Sequence, residues 1–150
     1  MKKILGVLLG VTSLSCVGPF SEDLESHYPN IQAARAAGAF TRGWLPEILP
    51  DDAQDIWEIH NLDTNLTWGC FTTPGGPTGV RAKLERLNAG RVSGPISTVP
   101  RRFFRGRSWW PASMSKPDVE AYEFKEEGSR FTVGVGLDPS GRNACFHRRT

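Results

Sequence analysis

Ile56-Trp57-Glu58-Ile59-His60 and, after a short polar step, Leu66-Thr67-Trp68-Gly69-Cys70-Phe71 decide the fold. Side chains of a strand alternate between its two faces, so Ile56, Glu58 and His60 share one face and Trp57 and Ile59 the other. Both segments are rich in β-branched and aromatic residues, and Asp63-Thr64-Asn65 between them has turn chemistry. Residues 56–72 are therefore expected to form an antiparallel hairpin, with Trp57 and Trp68 pairing across it to fill a core.

Working outward, the C-terminal part repeats this pattern. Val119–Phe124 reads as a strand, Glu126-Glu127-Gly128-Ser129 as a turn, and Arg130–Leu137 as a strand with Phe131, Val133 and Val135 on one face. Asp138-Pro139-Ser140-Gly141 turns the chain into a last strand over Arg142–His147. Two stretches carry helical signals instead. Asn30 is suited to cap a helix over Ile31–Ala37 that stops at Gly38. Val80, Leu84 and Leu87 mark one face of a helix over Pro77–Asn88. Asp51-Asp52-Ala53-Gln54 reads as a single helical turn, with Pro50 and the two Asp residues suited to its start. Residues 89–118 hold Pro95, Pro100, Pro111 and Pro117, too closely spaced for a long helix or central strand, so a long surface excursion is expected. The fold class is α+β: an antiparallel sheet of about five strands with one or two helices.

The N-terminus is an address. Lys2 and Lys3 precede an apolar run over Ile4–Leu14, and small residues of Ser13-Leu14-Ser15 stand before Cys16. This is the layout of a secretory signal over residues 1–15, and the run is shorter than the roughly 20 residues that span a bilayer. The Cys after the run resembles the lipobox of bacterial lipoproteins. That resemblance implies a diacylglycerol on Cys16, a membrane held through that lipid, a tether over 16–26 and a single domain over 27–150. The lipobox Leu is expected at Ser13 but stands at Leu14, and Ser13-Leu14-Ser15 also suits an ordinary signal peptidase. By resemblance to enterobacterial lipoproteins, Val17 rather than Asp after the Cys implies the outer membrane, with the domain facing the periplasm or the cell surface.

Composition agrees with a folded domain: 39% hydrophobic and 10% aromatic residues. The formal charge of +2 equals the charge of Lys2 and Lys3, so the exported chain is neutral. With Cys16 lipidated, Cys70 and Cys145 remain, and an oxidising compartment favours a disulfide between them over two buried thiols. Charge is unevenly distributed. Glu47, Asp51, Asp52, Asp55, Glu58 and Asp63 form one block; Arg81, Lys83, Arg86, Arg91, Arg101, Arg102, Arg105 and Arg107 form another against Glu85 alone. The blocks are read as solvated or facing each other, with an external charged partner as the alternative.

Within residues 38–71, Arg42-Gly43-Trp44-Leu45-Pro46-Glu47, Leu49-Pro50, Ile56, Glu58, His60 and Leu62-Asp63-Thr64-Asn65 resemble a family of small bacterial envelope proteins similar to the YbbD head domain. Trp109-Trp110-Pro111 and the final hairpin look like that family's later half. The resemblance implies an envelope location and a shared fold. It supplies no catalytic residues, and the Thr73–Gly79 loop has no counterpart in it.

Two groups of residues carry candidate chemistry. Glu58, His60 and Asp63 would make an acid/base cluster, since Glu58 and His60 share a strand face and Asp63 lies in the adjoining turn. The simpler reading gives Asp63 and Asn65 to turn amides and leaves His60 half-buried in a polar contact. No metal or other cofactor is expected: zinc wants three protein ligands, and His27 and His147 are distant in sequence. The chain lacks a Gly-x-Ser-x-Gly elbow, and Thr73–Gly79 lacks the Lys-Ser/Thr ending of a phosphate loop. The second group is Arg101, Arg102, Arg105, Arg107, Trp109 and Trp110. Interleaved Arg and aromatics suit a partner protein with an acidic surface or anionic lipid headgroups; an exported protein does not meet nucleic acid. The competing reading buries Phe103, Phe104 and one Trp and leaves the Arg residues solvated. Trp44 is expected to plug a sheet edge.

The sequence therefore points to a non-enzymatic, lipid-anchored envelope protein that binds another protein, of immunity or assembly type. The alternative is a cell-wall-acting enzyme or carbohydrate-binding module using Glu58, His60 and Asp63. A passive structural component is the third reading.

Overall fold

A computed structural model describes residues 23–94, 96 and 107–150. In chain order these form β1 (Asp23–Asn30), α1 (Ile31–Ala36), β2 (Gln54–Asn61), β3 (Thr67–Thr72), α2 (Thr78–Arg86), β4 (Gly90–Val92), a 3-10 turn (Ala112–Ser115), β5 (Glu120–Lys125), β6 (Thr132–Leu137) and β7 (Asn143–Arg149). The strands make one antiparallel sheet in the order β1-β2-β3-β7-β6-β5-β4. The α+β class holds, but the sheet has seven strands rather than about five. The hairpin 56–72 is present as β2-β3 and the C-terminal meander as β5-β6-β7. Among the described residues no helix is long and apolar enough to cross a membrane.

The two additional strands are the sheet edges. β1 falls within the stretch expected as tether and helix lead-in, because Asp23-Leu24-Glu25-Ser26-His27-Tyr28-Pro29-Asn30 has little intrinsic strand preference. Its alternation is read only against its neighbour: Ser26 and Tyr28 lie opposite Glu58 and Ile56, and Glu25 and His27 opposite Ile59 and Trp57. Pro29 is tolerated because β1 is an edge. β4 is three exposed residues, too short to read from pattern.

Asn30 caps α1 as expected, its side-chain oxygen accepting from the Ala33 amide at 2.9 Å. Asp51 and Asp52 lie in a turn closed by Ala53 N donating to Pro50 O, not in a helix. In α2, Val80 and Leu84 are buried, whereas Leu87 sits at the C-terminal cap, 37% exposed.

Both helices pack on one face of the sheet. Ile31, Ala34, Ile48, Leu49, Ile56, Phe71, Leu84, Val135 and Phe146 build the main core there. The opposite face carries Cys70, Cys145, Ile59, Trp68 and Ala121, covered by Ile96, Met114, Trp109 and Trp110. Two glycines let neighbours lie flat against the strands. A Cβ on Gly134 would stand 2.3 Å from His147 Cε1, and one on Gly69 would stand 2.5 Å from Phe146 Cζ. Cys70 and Cys145 are direct register partners on β3 and β7 and are joined by a disulfide.

Candidate functional site

Glu58 and His60 project from β2 into the helix-side face and are sealed there, 0% and 2% exposed. His60 Nδ1 lies 3.0 Å and 3.2 Å from the two Glu58 carboxylate oxygens. Burial raises the Glu58 pKa above the usual carboxylate value, against hydrogen bonds from His60, Ser26 and Tyr28 that favour the ionised form. The Tyr28 hydroxyl is also raised by burial. Trp44 stacks flat on His60, ring centroids 3.9 Å apart and planes within 13°, and the Arg42 guanidinium lies 4.7 Å over Trp44. Trp44 thus covers the imidazole rather than plugging a sheet edge. His60 Nε2 and Thr67 Oγ1, on register-paired residues, have no hydrogen-bond partner among the described residues.

The third member of the expected cluster is elsewhere. Asp63 is exposed in the β2-β3 turn. That turn is organised by Asn61, whose side-chain oxygen accepts from the Thr64 amide and hydroxyl, and by Asn65 in a left-handed conformation. Glu58 and His60 come together; Asp63 does not join them. Among the described residues no three His, Cys, Asp or Glu side chains gather to hold a metal ion. A surface cavity of about 360 Å³ on the helix side is lined by Glu47, Leu87, Phe124, Glu126 and Arg148, not by the Glu58–His60 pair.

A second constellation lies on the other face, at the β1 edge. Glu25 Oε2 accepts from Arg107 Nε at 2.6 Å, and Glu25 Oε1 accepts from Trp109 Nε1 at 3.0 Å. Asp55 Oδ1 accepts from Trp57 Nε1 at 3.0 Å and lies 2.8 Å from His27 Nε2. His27 stacks on Trp57 at 4.1 Å, Trp57 lies nearly parallel to Trp109 at 6.1 Å, and Trp110 meets Trp109 edge-on. Of the six residues expected to meet a partner, Arg107, Trp109 and Trp110 belong here. Arg101, Arg102 and Arg105, like Cys16, lie outside the described residues. Trp57 does not pair with Trp68 in the core. The register sets Trp57 opposite Cys70 and Trp68 opposite Ile59, so Trp57 is only half-buried.

Sequence reasoning passed over Glu25, His27 and Asp55. The available signal was weak: Glu25 and His27 alternate on a strand hidden by its polar composition. Asp55 takes up a left-handed φ of 47° where the β2-β3 register shifts, which no pattern announces. Among the described residues, members of the two charged blocks pair with charges outside the opposite block. Arg81 pairs with Glu120 and Arg107 with Glu25, while Asp51 meets Arg35 and Asp55 meets His27. The Glu120 carboxyl is held below its usual value chiefly by its Arg81 hydrogen bonds.

Residues 22–72, roughly a third of the chain, match the sequence model of the YbbD head domain. The matched span takes in β1, α1, β2 and β3, and with them every member of the Glu58–His60 network. No curated protein and no solved structure matches the chain.

Proposed function

We propose that the chain is a non-enzymatic binding protein of the bacterial cell envelope. Residues 1–15 direct its export, lipid on Cys16 holds it to the outer membrane, and the sheet domain engages a partner protein in an immunity or assembly role. The observation that carries this reading is the contrast between the two constellations. Glu58 and His60 are sealed beneath Trp44; Glu58 is bonded by His60, Ser26 and Tyr28, and the remaining His60 nitrogen, Nε2, is buried away from solvent. A general base must reach its substrate within hydrogen-bond distance, directly or through one water. Arg107 and Trp109, in contrast, are partly exposed and bonded to Glu25. Arg and Trp are the residues that dominate binding hot spots, and a run of Arg suits an acidic partner surface.

The test is capture from crosslinked envelopes by the lipidated protein and by an Arg102→Glu/Arg105→Glu variant with the same unfolding midpoint. The proposal expects one stoichiometric protein partner, lost in the variant. Equal capture by both proteins removes the basic segment as the binding site. A hydrolytic activity on purified cell wall that His60→Ala abolishes without unfolding the domain overturns the non-enzymatic reading.

A further inference from the structure

His27, Trp57 and Trp109 form a ladder along the sheet face opposite the helices. The 6.1 Å separation of Trp57 and Trp109, with planes within 7°, is wider than face-to-face contact. The two indoles are therefore not in full face-to-face contact, and each keeps part of its surface exposed. The His27 side chain is 41% exposed and both indoles are half-buried.

Each ring is held by its polar edge. Asp55 takes the Trp57 N–H and meets His27; Glu25 takes the Trp109 N–H and the Arg107 guanidinium. Asp55 does this from a left-handed conformation, beside a break in strand register. Such backbone is costly for a non-glycine residue, and bulges of this kind re-aim side chains. The ring planes are thus set in advance of any ligand.

Those same bonds define what the ledge still offers. The indole donors are engaged, so π faces and spare carboxylate lone pairs remain; an ionised carboxylate accepts at about four sites. Among the described residues Arg107 is matched by Glu25 and His27 faces Asp55, so the ledge carries no excess of cations over carboxylates to draw an anion. Phosphates and nucleic acids would meet Glu25 and Asp55. The fitting ligand is uncharged, with an apolar ring face and hydroxyl donors at its rim, which describes a pyranose.

We propose that His27, Trp57 and Trp109 form a ledge that binds a neutral glycan, its sugar rings stacking on the indoles and its hydroxyls donating to Asp55 and Glu25. This goes beyond the protein-partner reading: it shares Trp109 with that reading, but His27, Trp57 and Asp55 belong to the ledge and Arg102 and Arg105 do not.

The experiment titrates the disulfide-intact protein with neutral oligomers of N-acetylglucosamine, glucose and mannose, following indole N–H resonances. The proposal expects saturable shifts of the Trp57 and Trp109 signals with at least one oligomer. Affinity should fall about tenfold or more in Trp57→Ala, with Trp68→Phe unchanged. His27→Ala alters an exposed ring, and its affinity loss holds the test where Trp57→Ala fails to fold. No saturable shift with any oligomer at millimolar concentration overturns the proposal. Binding unaffected by both His27→Ala and Trp57→Ala does so too. Envelope capture run alongside separates the two readings. His27→Ala should retain the protein partner while losing the sugar, and Arg102→Glu/Arg105→Glu should do the reverse.

Discussion

Acidification should destabilise this domain through His147. The imidazole is 3% exposed on β7, between Trp68 of β3 and Gly134 of β6, and neither ring nitrogen has a hydrogen-bond partner among the described residues. Burial, helped by the Arg149 charge and opposed by Glu123, lowers its pKa from 6.5 to about 4. The folded state therefore refuses a proton that the unfolded chain accepts. Stability from this group is complete above pH 6.5 and is lost as pH falls towards 4. Linkage over that interval gives about 2 kcal/mol lost between about pH 7.5 and about pH 5, and about 3 kcal/mol once both states are protonated. Against a domain stability of about 5–15 kcal/mol this is a large fraction. The assay is urea unfolding at those two pH values for wild type and His147→Gln, disulfide intact and slopes compared for constancy. Gln cannot ionise, and whatever the rest of the chain contributes is common to both proteins and cancels in the difference. Wild type should lose about 2 kcal/mol more than the variant. Equal losses would refute the reasoning.

Glu58 should act in the opposite sense. Its folded pKa is raised, so its contribution is full below the ordinary carboxylate value and lost as pH rises. Glu58→Gln should gain on wild type from acid to neutral pH in the same unfolding series, and a constant difference between them would contradict this. Replacing both Cys70 and Cys145 with Ala opens a link between residues 75 apart. The chain-entropy model puts the cost at up to about 4–5 kcal/mol, and a denaturation midpoint unchanged from wild type would sink that account. Gly134→Ala forces a Cβ against the His147 ring, where backbone and imidazole have little room to give. It should cost about 1–3 kcal/mol by overpacking, whereas Gly128→Ala, in open space but at a positive φ, tests backbone strain alone.

Legibility followed where the chemistry of an element resided. The hairpin 56–72 and the three-strand meander carry their own alternation, turns and β-branched residues, and both were readable. So was the Asn30 cap, because a side-chain oxygen next to an apolar helix is a local signal. β1 was not, since Glu25, His27 and Pro29 form a strand only by pairing with β2. The disulfide was expected from cysteine parity and the export signal read in the sequence, while its placement on directly opposed residues depended on β7 lying beside β3. Glu58 and His60 were legible as neighbours on one face. Their burial was not, because Trp44 arrives from an irregular segment and caps them. Asp63 was drawn into the cluster by sequence proximity alone, and the turn keeps it outside. The ring ladder needed Glu25, Asp55 and Trp109 together, residues 84 apart at the extreme, and only the tertiary fold assembles them.

The claim that the chain is an envelope-anchored binding protein depends most directly on its mature N-terminus. Intact-mass and N-terminal peptide analysis of the protein purified from membranes should find the chain beginning at Cys16, carrying diacylglycerol, and a Cys16→Ala variant should leave the membrane fraction. An unmodified N-terminus in the soluble fraction would contradict the anchor and the proposed role built on it.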